Sequence, residues 1–182
     1  ENGSHIIDAG GLASNNTSIW FITWDKMACH LIFPAKGKAG IERKDRGLVP
    51  KQDAQGNTFF SYREDFKWHV GLSVRDWRYV VRIANIDTSL LSVDAASGAD
   101  LIERMTQAYY AHYGRRVNMG KTYIYANTTI VKYLDFQARY ATNKNLYLSL
   151  DNTGPNATEI LKFRGIPIRE TDALLETEAQ VV

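Results

Sequence analysis

"FKWHVGLSVRDWRYVVRIANID", residues 66–87, holds two tryptophans, five basic residues and a dense run of β-branched and aromatic side chains. Read as a strand, it puts Trp77, Tyr79, Val81 and Ile83 on one face. Asp76, Arg78 and Arg82 fall on the other. Such period-two alternation gives one face to a core and one to charge partners. A helical reading groups Val74, Trp77, Val81 and Ala84 and stays open. The β-branched and aromatic density favours the strand. Gly71 marks a bulge or a close approach.

The flanks extend the same reading. Residues 1–17 are rich in Gly, Ser and Asn and read as a loop. "SIWFITW" (18–24) and "CHLIFP" (29–34) read as strands, and their short connector predicts a hairpin. "AKGKAGIERKDRGLVPKQDAQGN" (35–57) is polar and glycine-containing, and reads as a long loop or extended arm. "TFFSYREDFKWHV" (58–70) is a further strand.

The first helical pattern runs from Ala99 to Tyr113, with Leu101, Ile102, Met105, Ala108, Tyr109 and His112 on one stripe. Ser97 is the expected N-cap, Asp100 lies in the first turn, and Gly114 is the expected stop. "KTYIYA" (121–126) reads as a strand. Asn127 then caps a second helix, with Ile130, Val131, Leu134 and Ala138 on one side. "NLYLSL" (145–150) alternates as a strand, "DNTGPNAT" (151–158) is a loop, and "EILKFRG" and "IPIRETDALL" read as strand or short helix. Strands first, then helix–strand–helix–strand, define an α+β class.

Composition bounds the function. The 182 residues suit one domain or a compact pair. The net charge of +2 lacks the strong basic excess of a dedicated nucleic-acid binder. One cysteine, Cys29, excludes an internal disulfide and fits an intracellular origin. No uncharged apolar run approaches the roughly 18 residues of a membrane span.

No motif carries a reaction. "GRRVNMGKT" (114–122) ends like a phosphate-binding loop, but five residues separate its glycines instead of four. It also follows a helix and opens a strand, so a helix stop plus a left-handed turn is preferred. "GLSVR" (71–75) is half a nucleophile elbow, with Arg75 where the second glycine belongs. Cys29 and His30 are neighbours, so a strand points them to opposite faces and prevents a dyad. His5, His30, His69 and His112 lack metal spacing. Glu176 and Glu178 would share a strand face and read as charge partners for a neighbour. "ERKDR" (42–46) reads as a solvated loop, and "DAQGN" (53–57) as a turn. Trp20 and Trp24 share a strand face, where rings pack in a core or interface or serve as a binding platform.

Five stretches then occur in order: "NTSIWFITW", "IFPAKGKAGIERKDRG", "FKWHVGLSVRDWRYVVRIANID", "YIYANTTIVKYLDFQAR" and "FRGIPIRETDALLETEA". Together they resemble the major capsid proteins of short-tailed bacteriophages and prophages, a branch of the Hong Kong 97-type capsid fold. The resemblance implies a peripheral, β-rich part over residues 1–95, with residues 58–87 supplying long strands. It implies an axial part over 96–182, with a C-terminal strand returning to the first part. The chain looks like the C-terminal half of a longer subunit, and its start at Glu1 fits a fragment or processed product.

The implied function is structural, with no catalytic residue, cofactor or metal. Copies of the chain would form pentamers and hexamers of an icosahedral shell, with scaffolding, portal or decoration proteins as further partners. Viral DNA would be enclosed without sequence-specific binding, no membrane would be involved, and the protein would reside in the virion after synthesis in the bacterial cytoplasm. Arg75, Asp76, Arg78, Arg82, Glu176 and Glu178 are the expected subunit-interface residues. In this picture the Trp77 face packs inward and the arginine face meets carboxylates of its own or a neighbouring subunit. The alternatives are a β-rich binding module that presents exposed aromatics to a glycan or other ligand, and an enzyme of unrecognised class.

Overall fold

A computed structural model describes residues 2–12, 14–34, 40–92, 99–117, 119–140, 148–151 and 160–181. The strands, in chain order, are β1 (Ile6–Asp8), β2 (Asn16–Trp24), β3 (Cys29–Ile32), β4 (Ile41–Gln52), β5 (Thr58–Trp68), β6 (Gly71–Val74), β7 (Val80–Asp87), β8 (Lys121–Ala126), β9 (Leu148–Asp151), β10 (Ile160–Phe163) and β11 (Ile166–Glu170). The helices are α1 (Leu101–Ala111) and α2 (Thr128–Tyr140). The chain divides into two compact units: Glu1–Cys29 with Val74–Val182, and His30–Ser73.

The first unit is built on a mixed sheet in the order β1-β7-β2-β8-β11-β10-β9. Its hub is β2, antiparallel to β7 on one side and to β8 on the other. Along β2, Thr17, Ile19, Phe21 and Thr23 are fully buried, while Trp20, Ile22 and Trp24 on the opposite face are half-buried. Ile19 and Phe21 join Val81, Ile83 and Ile124 from neighbouring strands, and Leu101, Met105, Ala108, Ile130 and Leu134 from the helices. Each of the larger of these side chains contributes about 1.5–3 kcal/mol on burial. The apolar stripes of α1 and α2 are therefore what bind the helices to one side of the sheet.

The helix starts follow from capping. Asn127 Oδ1 accepts the Thr129 N–H at 2.9 Å, as the sequence predicts. At α1 the cap is Asp100, whose carboxylate accepts the Glu103 N–H at 2.8 Å. The expected cap, Ser97, lies outside the described residues, as do residues 145–147 of the "NLYLSL" strand and residues 152–158 of the following loop. The last two segments form the β10–β11 hairpin, not helix. Arg164 and Gly165 both have positive φ, +48° and +82°, as a two-residue hairpin turn requires.

Four expectations are corrected. Residues 2–8 are not loop: Asn2–His5 forms a 3₁₀ turn, and β1 pairs in parallel with β7. A three-residue strand is too short to carry a readable period. The β2–β3 hairpin reduces to one pair, Trp24 with Cys29, which is parallel in sense. Both edges of β2 are already occupied by β7 and β8, so β3 pairs with β6 instead.

The stretch 66–87 is not one strand. Asp76 caps a 3₁₀ turn at Trp77–Tyr79 that separates β6 from β7. Trp77 is consequently 40% exposed, edge-on to His5, while Tyr79, Val81 and Ile83 do turn into the core. Finally, residues 41–52 of the expected loop are a twelve-residue strand.

That strand, β4, pairs with β5 to make an antiparallel ribbon in the second unit. Asp53 closes the tip, its carboxylate accepting the N–H groups of Gln55 and Asn57 at 3.0 and 2.8 Å. "DAQGN" is thus the turn expected of it. The register shifts between Asp45 and Gly47, and Gly47 has φ +66°, which marks a bulge. No described residue of His30–Ser73 is fully buried.

Candidate subunit-contact surfaces

The six expected interface residues form two separate ion pairs and two outliers. The Arg78 guanidinium forks onto Asp76, with Nε 3.0 Å from Oδ1 and Nη2 2.7 Å from Oδ2. Asp76 Oδ1 also accepts the Arg78 N–H at 3.0 Å. These bonds favour the charged form and hold the Asp76 carboxyl below its ordinary range. The Arg78 guanidinium lies 4.6 Å from the centre of the Tyr113 ring.

Arg82 reaches across the sheet. Its Nη2 donates to Glu178 Oε2 at 2.8 Å, and its guanidinium sits 5.1 Å from the Trp20 ring centre. Glu178 Oε1 accepts the Ser18 hydroxyl at 3.0 Å, and the Glu178 N–H donates to the Asn16 carbonyl at 2.8 Å. Arg75 points elsewhere and contacts Met27 Sδ. Glu176 accepts the Thr129 hydroxyl. Glu176 and Glu178 therefore do not share a strand face; residues 171–177 are irregular, so no pleat aligns them. The arginine face meets carboxylates of its own chain.

The half-buried face of the sheet carries the tryptophans together, as expected, with register partners Tyr125 for Trp20 and Tyr123 for Ile22. Both indoles bond within the chain: Trp20 Nε1 to Ser18 Oγ at 3.0 Å, and Trp24 Nε1 to Tyr125 Oη at 2.9 Å.

A surface the sequence did not reveal lies on the β4–β5 ribbon. Its register places Ile41, Arg43, Asp45, Leu48 and Pro50 opposite Trp68, Phe66, Glu64, Tyr62 and Phe60 on one face. That face is apolar except near its middle, which carries Asp45 and the ion pair of Arg43 with Glu64. The other face carries Glu42, Lys44, Arg63, Asp65 and Lys67, and Asp65 accepts from both Arg46 and Arg63. "ERKDR" is thus strand, with Arg43 and Arg46 paired across the ribbon to Glu64 and Asp65. Near the base of this unit, Ile32, Phe33, Pro34, Trp68, His69, Val70 and Gly71 line an open groove of about 560 Å³.

The remaining motifs take structural places. Gly120 has φ +68°, the left-handed turn expected of "GRRVNMGKT". Gly114 acts differently: a Cβ there would lie 2.5 Å from both His112 Cε1 and Thr23 Oγ1, so it is a close-approach glycine. Ser73 sits in strand β6. Cys29 is buried, and burial pushes its thiol up, away from a reactive thiolate. Among the described residues no three His, Cys, Asp or Glu side chains gather as metal ligands.

His112 is instead a buried tie. Its Nε2 lies 3.0 Å from the Tyr79 carbonyl, which can only accept, so that nitrogen carries the proton. Thr23 Oγ1 is 3.1 Å from the same nitrogen. Burial holds the imidazole below its ordinary value of 6.5.

The first unit's mixed sheet with helices on one face and the second unit's long two-stranded ribbon are elements of an α+β capsid fold of Hong Kong 97 type. A chain in the cryo-EM structure of bacteriophage epsilon15 is 40% identical and superposes with a TM-score of 0.62. The match covers 98% of this chain and 53% of that one, so the present chain spans about half the length of the solved relative. The chain belongs to the family "Major capsid protein GP7", whose model matches residues 1–182. No curated protein matches it.

Proposed function

We propose that the chain serves as a structural subunit of a bacteriophage or prophage icosahedral capsid. It assembles through lateral contacts with copies of itself around packaged DNA and resides in the virion. It performs no catalytic step and takes no cofactor. The observation that carries this reading is the 40% identity over 98% of the chain to a chain of the epsilon15 particle. The geometry agrees with it: a unit of 44 residues with no fully buried described side chain is suited to contact with other chains rather than to self-sufficiency.

Residues 1–95 supply the peripheral-like part and 96–182 the axial-like part. The Asn16–Glu178 bridge and the paired bonds between Asn85 and Val181 support a C-terminal return onto the first part. The interface residues of the proposal remain Arg75, Asp76, Arg78, Arg82, Glu176 and Glu178, with exposed Arg75 offering a charge to a neighbour's carboxylate. Scaffolding, portal and decoration proteins are the further partners. A glycan-binding reading has less support, because Trp20 and Trp24 spend their N–H groups inside the sheet.

The test is electron microscopy of the full-length subunit expressed alone and with its scaffold. Shell-like particles are expected. A subunit that stays soluble and unassembled under both conditions overturns the reading.

A further inference from the structure

We propose that the apolar face of the β4–β5 ribbon is a self-association surface, which pairs face to face with the same ribbon of a second copy. The proposal rests on the capsid reading only in naming another copy as the occupant.

The first argument is area. Ile41, Leu48, Phe60, Tyr62, Phe66 and Trp68 share this face and are each between 55% and 85% exposed. At about 150–250 Å² for a fully buried aromatic, they present roughly 600 Å² of apolar surface. That reaches the top of the roughly 300–600 Å² of the largest patch on an ordinary monomer. Two such faces in contact remove about 1,200 Å² from water, the lower bound of a stable specific interface.

The second argument is stability. A two-stranded ribbon alone is marginal in water, and this one buries no described residue fully. Its eleven register pairs need a cover on one face to persist. The cover belongs on the apolar face, because the other face carries solvated charges, with Asp65 accepting from both Arg46 and Arg63.

The third argument is complementarity. Most exposed large hydrophobics among the described residues lie between Leu31 and Leu72. The others, such as Ile6, Leu12, Met27, Leu90, Tyr110 and Leu175, do not gather on one strand face. Apart from the groove lined by Ile32, Phe33 and Val70, the described surface that matches the ribbon's apolar face is that face itself. Near its middle the face carries Arg43, Asp45 and Glu64, and a two-fold axis can set the Arg43 of each copy against carboxylates of the other.

Adjacent phenylalanines make the test. Phe60 lies on the apolar face, and Phe59 points to the charged one. Sedimentation velocity of the 182-residue chain over a concentration series reads dimerisation. The wild type is expected to dimerise. Phe60→Asp is expected to weaken dimerisation by at least ~100-fold, as for a buried aromatic anchor. Phe59→Asp carries the same charge and is expected to change it by less than ~3-fold. Tyr62→Asp, at an 85% exposed position, is the second variant and is expected to follow Phe60→Asp. Far-UV circular dichroism checks that each variant keeps its strands. A wild type that stays monomeric, or equal effects of Phe59→Asp and Phe60→Asp, overturns the pairing. The capsid reading fails separately, through the absence of particles from the wild-type full-length subunit.

Discussion

Removing Arg82 tests whether the C-terminal segment is held to the sheet by charge. The side chains of Arg82 and Glu178 are 22% and 19% exposed and 2.8 Å apart. A fully exposed pair contributes about 0–1 kcal/mol. This one is mostly sheltered, and charge-assisted bonds of that kind contribute about 1.5–3 kcal/mol. One term works against it: Arg82 Nε is buried and makes no hydrogen bond among the described residues. The expected coupling between the two side chains is therefore about 1–2 kcal/mol.

Arg82→Ala also strips the stacking on Trp20 and leaves Glu178 half-buried without its cation. The single variant should then lose about 2–3 kcal/mol, or roughly 4–12 °C in Tm for a chain of this length. The assay is a urea-unfolding cycle over wild type, Arg82→Ala, Glu178→Gln and the double variant. A coupling under ~0.3 kcal/mol would place the pair with ordinary surface contacts and refute the tether.

Three further outcomes follow from the core of the first unit. Gly114→Ala forces a Cβ against His112 and Thr23 and should cost about 1–3 kcal/mol in urea unfolding; an unchanged midpoint would mean the loop yields freely. Gln137→Leu removes the bonds that Gln137 makes to the Leu101 N–H and to the Ser92 and Ala99 carbonyls, with an expected loss of about 1–3 kcal/mol and faster amide exchange at the start of α1. His112 titrates low in the folded state, so the unfolded chain binds more protons below 6.5. Stability should therefore fall as pH drops from 7.5 to 5.5, by up to about 1.4 kcal/mol from this group. The difference between wild type and His112→Gln isolates that slope, and parallel pH profiles would count against it.

Much of the first unit was legible because its elements are amphipathic against a core of their own. In β2 the buried set Ile19, Phe21 and Thr23 alternates with Trp20, Ile22 and Trp24. In α2, Ile130 and Leu134 recur at helical spacing behind a visible Asn127 cap. Gln137 continues that stripe, and a polar residue there was the available sign of a buried bond. Of the ribbon, β5 was read as a strand, whereas β4 was not legible for a definite reason. Ile41, Arg43 and Asp45 share a face with Leu48 and Pro50, so the bulge shifts the alternation by one residue. A period-two reading breaks across such a shift. Arg43 and Glu64 on the apolar face further disguise it as polar. The break at Asp76 was hidden for another reason: a single side-chain cap, too local for periodicity to register, stops the strand and turns Trp77 outward.

The two units divide their physical tasks. In the first, several polar groups that the fold buries find partners in the same chain: Asn85, at φ +57° beside the β7 bulge, exchanges two bonds with Val181, and His112 ties Thr23 to the Tyr79 carbonyl. In the second, charge is satisfied on one face and apolar surface is left uncovered on the other. On the ribbon pairing proposed above, association free energy is concentrated where folding free energy is weakest. Such an arrangement makes ribbon order depend on subunit concentration, since burial of its apolar face then occurs only on contact. Amide exchange in β4 and β5 should slow as protein concentration rises while exchange in β2 and β7 stays constant. Equal, concentration-independent protection in all four strands would mean that the ribbon stands unaided.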